Sequence, residues 1–156
     1  MIKIMFVCHG NICRSPMAEF VLKDMVQKQN IAENFLIQSS ATSREEIGNP
    51  VHPGTKKKLS EFHISVAGKT AVQFTKEDYE TYDYIIPMDT QNVRNLFRII
   101  GNDSYGKVKK LLDFDIGGDI ADPWYTGNFH DTYRDVVKGC NGLLRHLKET
   151  HPSLFQ

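Results

Sequence analysis

Cys8 and Arg14 bracket the run Cys8-His9-Gly10-Asn11-Ile12-Cys13-Arg14, which lies between an apolar stretch and the pair Ser15-Pro16. A short loop joining a strand to a helix N-terminus turns its backbone N–H groups inward, and these together with the helix dipole hold an anion. Arg14 adds a permanently charged fork that matches tetrahedral oxyanions two bonds at a time. Gly10 lets the backbone come close to the anion. Phosphate is the expected occupant, held by residues His9 to Arg14. The same field favours a thiolate over a thiol at Cys8, so the loop predicts a resting nucleophile aimed at phosphorus.

The elements around this loop fit the role. Ile2 to Val7 is a short apolar run ended by Cys8 and Gly10, as expected of a buried parallel strand. Ser15 can cap, and Pro16 open, a helix on which Ala18, Val21, Leu22, Met25 and Val26 recur at helical spacing. Phe35 to Ser40 reads as a second strand, Asp83 to Met88 as a third and Lys107 to Phe114 as a fourth, each separated by enough chain for a crossover. Thr75-Lys76-Glu77-Asp78 looks like a capped helix start and Asp89 can cap the stretch through Ile100. Phe129, Tyr133, Val136, Val137, Cys140, Leu143, Leu144 and Leu147 form one apolar stripe.

Alternating strands and helices predict an α/β fold, with a four-stranded parallel sheet covered by helices on both faces and ligands at the carboxyl ends of the strands. Cys8 follows the first strand, Ser39 to Thr42 close the second, Asp89 follows the third, and Asp115 with Asp122 follow the fourth. Four strand ends are therefore expected to meet in one crevice.

A chain of 156 residues suits one domain, 1–156, large enough to bury its core without disulfides. Nineteen basic and nineteen acidic residues balance, so no overall field recruits nucleic acid or a membrane surface, and Lys56-Lys57-Lys58 reads as a solvated helix face. Three cysteines, an odd number, suit a reducing compartment. Met1 to Val7 is too short for a secretory apolar region, so the cytoplasm is the expected location. Composition says nothing of oligomeric state.

The segment Val7-Cys8-His9-Gly10-Asn11-Ile12-Cys13-Arg14-Ser15-Pro16 resembles the signature of the low-molecular-weight protein tyrosine phosphatases. Asp122-Pro123-Trp124-Tyr125 is similar to their acid loop. Ser40-Ala41-Thr42-Ser43 with Gly48-Asn49-Pro50, then Thr75 to Asp78, then Met88-Asp89, fall in that family's order. The resemblance covers nearly the whole chain and implies a flavodoxin-like three-layer fold. It also implies two-step hydrolysis of phosphotyrosine in proteins, and of small aryl phosphates, through a phosphocysteine on Cys8. No cofactor and no metal are expected, because Arg14 and the loop amides neutralise the phosphate oxygens.

Within that chemistry Asp122 is the expected general acid, since a tyrosine phenolate of pKa about 10 leaves poorly unless protonated. Ser15 is placed to donate its hydroxyl to Cys8, and as the plainer alternative it caps its helix. Asn11 tolerates a left-handed backbone and can tie the loop to Ser39 or Ser40; the resemblance adds Asp89 as loop support. Trp124 and Tyr125 can wall the pocket with Ile12, or simply pack the acid loop. His9 lies at the rim. Cys13, five positions from Cys8, is either the partner of a reversible protective disulfide or a small buried filler, and Cys140 reads as core. His52, His63, His130, His146 and His151 show no ligand spacing and read as surface or satisfied histidines.

Two departures from the family pattern bear on substrate choice. Glu45 stands where relatives carry a tryptophan or tyrosine, and an arginine common further on is replaced around Val51-His52-Pro53-Gly54. Of three rival readings, one lacks its parts and two remain open. Arsenate reductases of related fold need relay cysteines, and this chain has none between Cys13 and Cys140. Protein arginine phosphatases resemble the pattern with threonine where Ile12 stands, and a phosphoprotein-binding module would keep the loop with little turnover.

Overall fold

The structure is a computed structural model and describes residues 1–156. Three parallel strands, β1 (Ile2–Cys8), β2 (Phe35–Ala41) and β3 (Tyr84–Pro87), form a sheet in the order β2-β1-β3. Registers run Ile2 opposite Phe35 to Cys8 opposite Ala41, and Ile4 opposite Tyr84 to Val7 opposite Pro87. Six helices surround it: α1 (Arg14–Lys28), α2 (Pro53–Ser60), α3 (Lys76–Thr81), α4 (Thr90–Ile100), α5 (Pro123–Thr126) and α6 (Phe129–Thr150).

The alternation of β1 divides the core. Ile2, Ile4, Phe6 and Cys8 face a large cluster that includes Met17, Val21 and Leu22 of α1 with Val136, Cys140 and Leu143 of α6. Met5 and Val7 face the other way, onto Phe74, Tyr79 of α3 and Leu96 of α4. Successive side chains of a strand point to opposite faces, so one short run of apolar residues serves both layers. The sheet is thereby sandwiched between helices, as expected.

The fourth strand is not formed. Its segment touches the sheet at one point, where the Ile85 N–H donates to the Lys107 carbonyl and the Lys109 N–H to the Ile85 carbonyl, pairing Ile85 with Val108. Beyond that the chain turns into a short 3-10 helix, Leu111–Phe114. Within this turn Leu111 and Leu112 are both buried. The turn packs against α6 at two glycines, Leu111 on Gly139 and the Phe114 backbone on Gly142. A Cβ on Gly142 would lie 2.2 Å from the Phe114 carbonyl oxygen.

Two helix starts follow the sequence reading and one does not. Thr75 and Asp89 each cap through a reciprocal box with Asp78 and Asn92. At α1, however, Cys13 occupies the cap position and the helix begins at Arg14, so Ser15 lies inside the first turn and makes no cap bond. Its hydroxyl is directed elsewhere. Asp115 is a second correction: it pairs with Arg145 of α6 at 3.0 Å and does not line the crevice. Its place at the end of the 3-10 turn points it to the α6 side. No helix is long and apolar enough to cross a membrane.

Candidate active site

The loop from Cys8 to Arg14 is held open by bonds to its outer side. The Cys8, His9 and Ile12 carbonyls accept from the N–H groups of Thr42 at 3.0 Å, Ser43 at 3.0 Å and His52 at 2.8 Å. In a trans peptide the N–H points opposite to the carbonyl, so the N–H groups of the same peptide units, those of His9, Gly10 and Cys13, turn toward the loop's interior. Asn11 makes the turn with φ of 60°, a left-handed conformation that asparagine tolerates. Its side chain uses all of its main bonding directions: Nδ2 donates to Ser15 Oγ at 2.7 Å and Ser39 Oγ at 2.9 Å, and Oδ1 accepts from the Val72 N–H at 3.1 Å.

The Ser39 hydroxyl in turn donates to Glu19 Oε1 at 2.5 Å. Glu19 is buried and ion-paired with Lys23 at 2.5 Å and Lys69 at 3.7 Å. Burial pushes the Lys69 ammonium below its ordinary pKa, a shift that Glu19 opposes. Glu19, Lys69 and Val72 are loop supports that sequence reasoning missed. A glutamate within an apolar helical stripe was the available signal.

Cys8 Sγ lies 3.0 Å from Ser15 Oγ and accepts from the Asn11 N–H at 3.3 Å. Ser15 Oγ already accepts from Asn11, and the Ser40 carbonyl is a longer 3.5 Å away, so the hydroxyl proton is best directed at sulfur. Arg14, 2% exposed, donates through Nη1 to Asp89 at 2.6 Å and to the Ile120 carbonyl at 2.9 Å, and through Nη2 to Asp122 at 3.4 Å. Its Nε is buried with no acceptor in the protein, which leaves a donor for an anion. Burial opposes the guanidinium charge, but Cys8, Asp89 and Asp122 outweigh it and raise the pKa.

Asp122 caps α5, with Oδ1 accepting from the Trp124 N–H at 3.0 Å and Oδ2 turned to Arg14. The carboxylate therefore stands across the cleft from the phosphate loop. Cys8, His9, Gly10, Ile12, Cys13 and Arg14 form the cleft's floor and one side. Glu45, Asp122, Trp124 and Tyr125 complete it together with Glu46, which the sequence reading did not single out. His9 Nε2 meets Glu45 Oε2 at 3.0 Å, so a polar pair occupies the part of the rim expected to lack an aromatic wall.

Asn11, Ser15, Ser39 and Asp89 sit behind the loop rather than in the cleft, as support. Cys13 and Cys140 are buried free thiols. Burial, with Cys8 next in weight, pushes the Cys13 thiol up to about 12, and burial alone raises that of Cys140.

A thiol nucleophile, an arginine and a carboxylate gathered about an anion-binding loop at the end of β1 make the arrangement of a cysteine-dependent phosphatase. The profile of the Low molecular weight phosphotyrosine protein phosphatase family matches residues 3–153, and the chain belongs to that family. It is 38% identical over 152 residues to the low molecular weight protein-tyrosine-phosphatase YfkJ of Bacillus subtilis, covering 96% of this chain and 97% of that one. The crystal structure of YfkJ superposes with a TM-score of 0.93 over 97% of both chains. The low molecular weight protein tyrosine phosphatase SP-PTP of Streptococcus pyogenes is 44% identical, with a TM-score of 0.82 over 94% of this chain and 93% of that one. A Drosophila arginine phosphatase is 25% identical, with a TM-score of 0.86 over 94% of this chain and 98% of that one.

Proposed function

We propose that the protein removes phosphate from tyrosine-phosphorylated proteins, with Cys8 as nucleophile, Arg14 and the loop amides as phosphate ligands and Asp122 as acid and then base. The observation that carries this reading is the placement of Cys8 Sγ between the Ser15 hydroxyl and the Asn11 N–H, with Arg14 on the same loop and Asp122 facing it.

In the first step the Cys8 thiolate attacks phosphorus in line and an S–P bond forms. The bond to the phenolic oxygen breaks, and that oxygen takes the Asp122 proton. Arg14, steered by Asp89, holds the equatorial oxygens. In the second step the Asp122 carboxylate takes a proton from water, whose oxygen attacks phosphorus. The S–P bond breaks, phosphate leaves, and the returning thiolate is received by the Ser15 hydroxyl. Phosphate oxygens are neutralised here by a guanidinium and amides, so activity is expected to survive EDTA.

Ile12 and the two aromatics of the acid loop line the cleft that leads to the sulfur, and these apolar contacts suit an aryl group more than a guanidino nitrogen. Turnover of a phosphotyrosine peptide together with p-nitrophenyl phosphate, and trapping of phosphocysteine on Cys8 by rapid acid quench, is the expected result. Preference for phosphoarginine over phosphotyrosine would replace the substrate assignment. Binding of both without release of phosphate would replace the enzyme by a binding module.

A further inference from the structure

His52 belongs to two parts of the site at once. Its backbone N–H donates to the Ile12 carbonyl at 2.8 Å, and Thr55, fully buried three residues on, donates through Oγ1 to the Cys13 carbonyl at 3.2 Å. The start of α2 is thus fastened to the end of the phosphate loop. The imidazole points the other way. Its ring stacks on Phe129, centroids 5.2 Å apart and planes 23° from parallel, and meets the Trp124 indole nearly perpendicularly at 5.8 Å. Trp124 and Phe129 lie on either side of the turn that leads from α5 into α6, so one ring touches both ends of the acid loop.

We propose that His52 is a positioning residue that holds the acid loop in register over the phosphate loop, acting on Asp122 through Trp124. This inference rests on the assignment of Asp122 as general acid. Three further contacts carry it. His52 Nδ1 accepts from the Gly54 N–H at 3.0 Å, which fixes the ring's orientation and places any proton of the neutral ring on Nε2. A Cβ on Gly54 would lie 2.3 Å from Phe129 Cζ, so the phenyl ring rests directly on the glycine backbone and only glycine admits it. The Trp124 N–H in turn donates to Asp122 Oδ1, so a shift of Trp124 is a shift of the carboxylate.

The backbone of that loop is bonded within itself, as in the Gly127 N–H to Pro123 carbonyl bond at 2.8 Å, while its two aromatic side chains stand largely in solvent. Trp124 is 57% exposed and Tyr125 83%, and the centroid distances of the two ring contacts lie within the range where aromatic pairs attract. Proton transfer demands hydrogen-bond reach between acid and leaving oxygen, so a small drift of the loop weakens acid catalysis and leaves phosphate binding intact.

The test compares aryl phosphates of differing leaving ability in His52→Asn, whose side-chain oxygen can still cap α2 while the ring is gone. The measurements are kcat/KM on phenyl phosphate and on p-nitrophenyl phosphate, with the inhibition constant of inorganic phosphate. We expect kcat/KM on phenyl phosphate to fall about tenfold, with p-nitrophenyl phosphate and phosphate inhibition changed less than about twofold. His52→Phe, which keeps a ring and loses the cap acceptor, should restore most of the phenyl phosphate rate.

Equal losses on both substrates, weaker phosphate inhibition, or no rescue by phenylalanine would overturn the proposal. Should His52→Asn fail to fold, Gly54→Ala displaces Phe129 with the histidine still present and is read by the same three measurements. Asp122→Asn separates the two levels. If it shows steep leaving-group dependence while His52→Asn shows none, only the clasp is lost; if Asp122→Asn shows none, the acid assignment itself is wrong.

Discussion

The floor of the cleft and its rim are built by opposite means. At the floor, Asn11, Ser15, Ser39 and Glu19 are buried and bonded to one another in an unbroken chain that ends at the Cys8 sulfur. At the rim, Glu45, Trp124 and Tyr125 are exposed and have few fixed partners. Buried polar groups must be satisfied, so a change anywhere in the floor leaves some other group without a partner. Exposed groups exchange protein for water at little cost. The chemistry is therefore expected to be intolerant of substitution, and the choice of substrate adjustable.

The sharpest way to break that distinction is at the sulfur. Cys8→Ser replaces the nucleophile by a hydroxyl that the loop cannot ionise, and turnover is expected to fall by at least about a thousandfold. Phosphate binding should persist, because Arg14 and the amides are untouched. Equilibrium binding of phosphate to the variant, beside p-nitrophenyl phosphate turnover, checks both halves. Residual activity within about tenfold of the parent would mean that the nucleophile lies elsewhere.

A second test uses the three thiols of one chain. Cys13 shares the loop with Cys8, but its burial pushes the thiol up to about 12. A raised thiol pKa keeps the group neutral below that pH, so at pH 8 only about one Cys13 in ten thousand is the reactive thiolate. Cys140, fully buried in α6, is raised too. Iodoacetamide at pH 8 should label Cys8 with at least about a hundredfold preference, read by peptide mapping; comparable labelling of Cys13 would contradict the burial argument. The same shift makes Cys13 a slow partner for an oxidised Cys8, so any disulfide between them should form more slowly than Cys8 alkylates.

Much of this floor was legible in the sequence because its requirements are local. The spacing from Cys8 to Arg14, a left-handed turn at Asn11 and a strand before a helix can all be recognised within a short segment. Asp89 is legible as a cap, and the resemblance adds loop support, but that the support is a bond to Arg14 is shown only by the structure. Less visible was whatever depends on distant packing. The expected fourth strand contracts to one bridge at Val108 because Leu111 and the Phe114 backbone are drawn onto Gly139 and Gly142 of α6, a pairing that no local pattern shows. Ser15 offers by type both a bond to Cys8 and a helix cap, and the structure takes the first: the sulfur and Asn11 claim its hydroxyl. His52 reads from sequence as a surface or satisfied histidine, and its ring contacts with Trp124 and Phe129 are not legible because they join residues far apart in the chain.

Asn11 measures how strongly the floor is coupled. Asn11→Gly keeps the backbone free to adopt φ of 60° and removes only the amide. Three bonds are lost, and the Val72 N–H and the hydroxyls of Ser15 and Ser39 lose a partner. A loss of roughly 2–4 kcal/mol of stability is expected, less what new water contacts restore. In a chain of this size that lowers Tm by about 10 °C. Thermal unfolding followed by circular dichroism reads it. The rate should fall about tenfold, because Ser15 is freed to rotate away from the sulfur. An unchanged Tm would show that the network is ornamental to the loop.

The rim offers the smallest effect and the clearest contrast. Glu45→Trp returns to the cleft the aromatic wall that the family resemblance leads one to expect, at a site where the present side chain is 70% exposed. It removes the carboxylate facing His9, a contact between exposed groups that contributes little to stability. The new ring can lie against the phenyl group of a substrate, opposite Trp124 and Tyr125, and an aromatic pair of this kind improves binding modestly. KM for p-nitrophenyl phosphate should fall about threefold, with kcat and Tm unchanged, because none of the bonds that hold Cys8, Arg14 or Asp122 runs through Glu45. If kcat moved as far as KM, rim and floor would be mechanically joined at this edge. The His9–Glu45 pair would then have to be counted, like the His52–Trp124 contact, among the links between rim and floor.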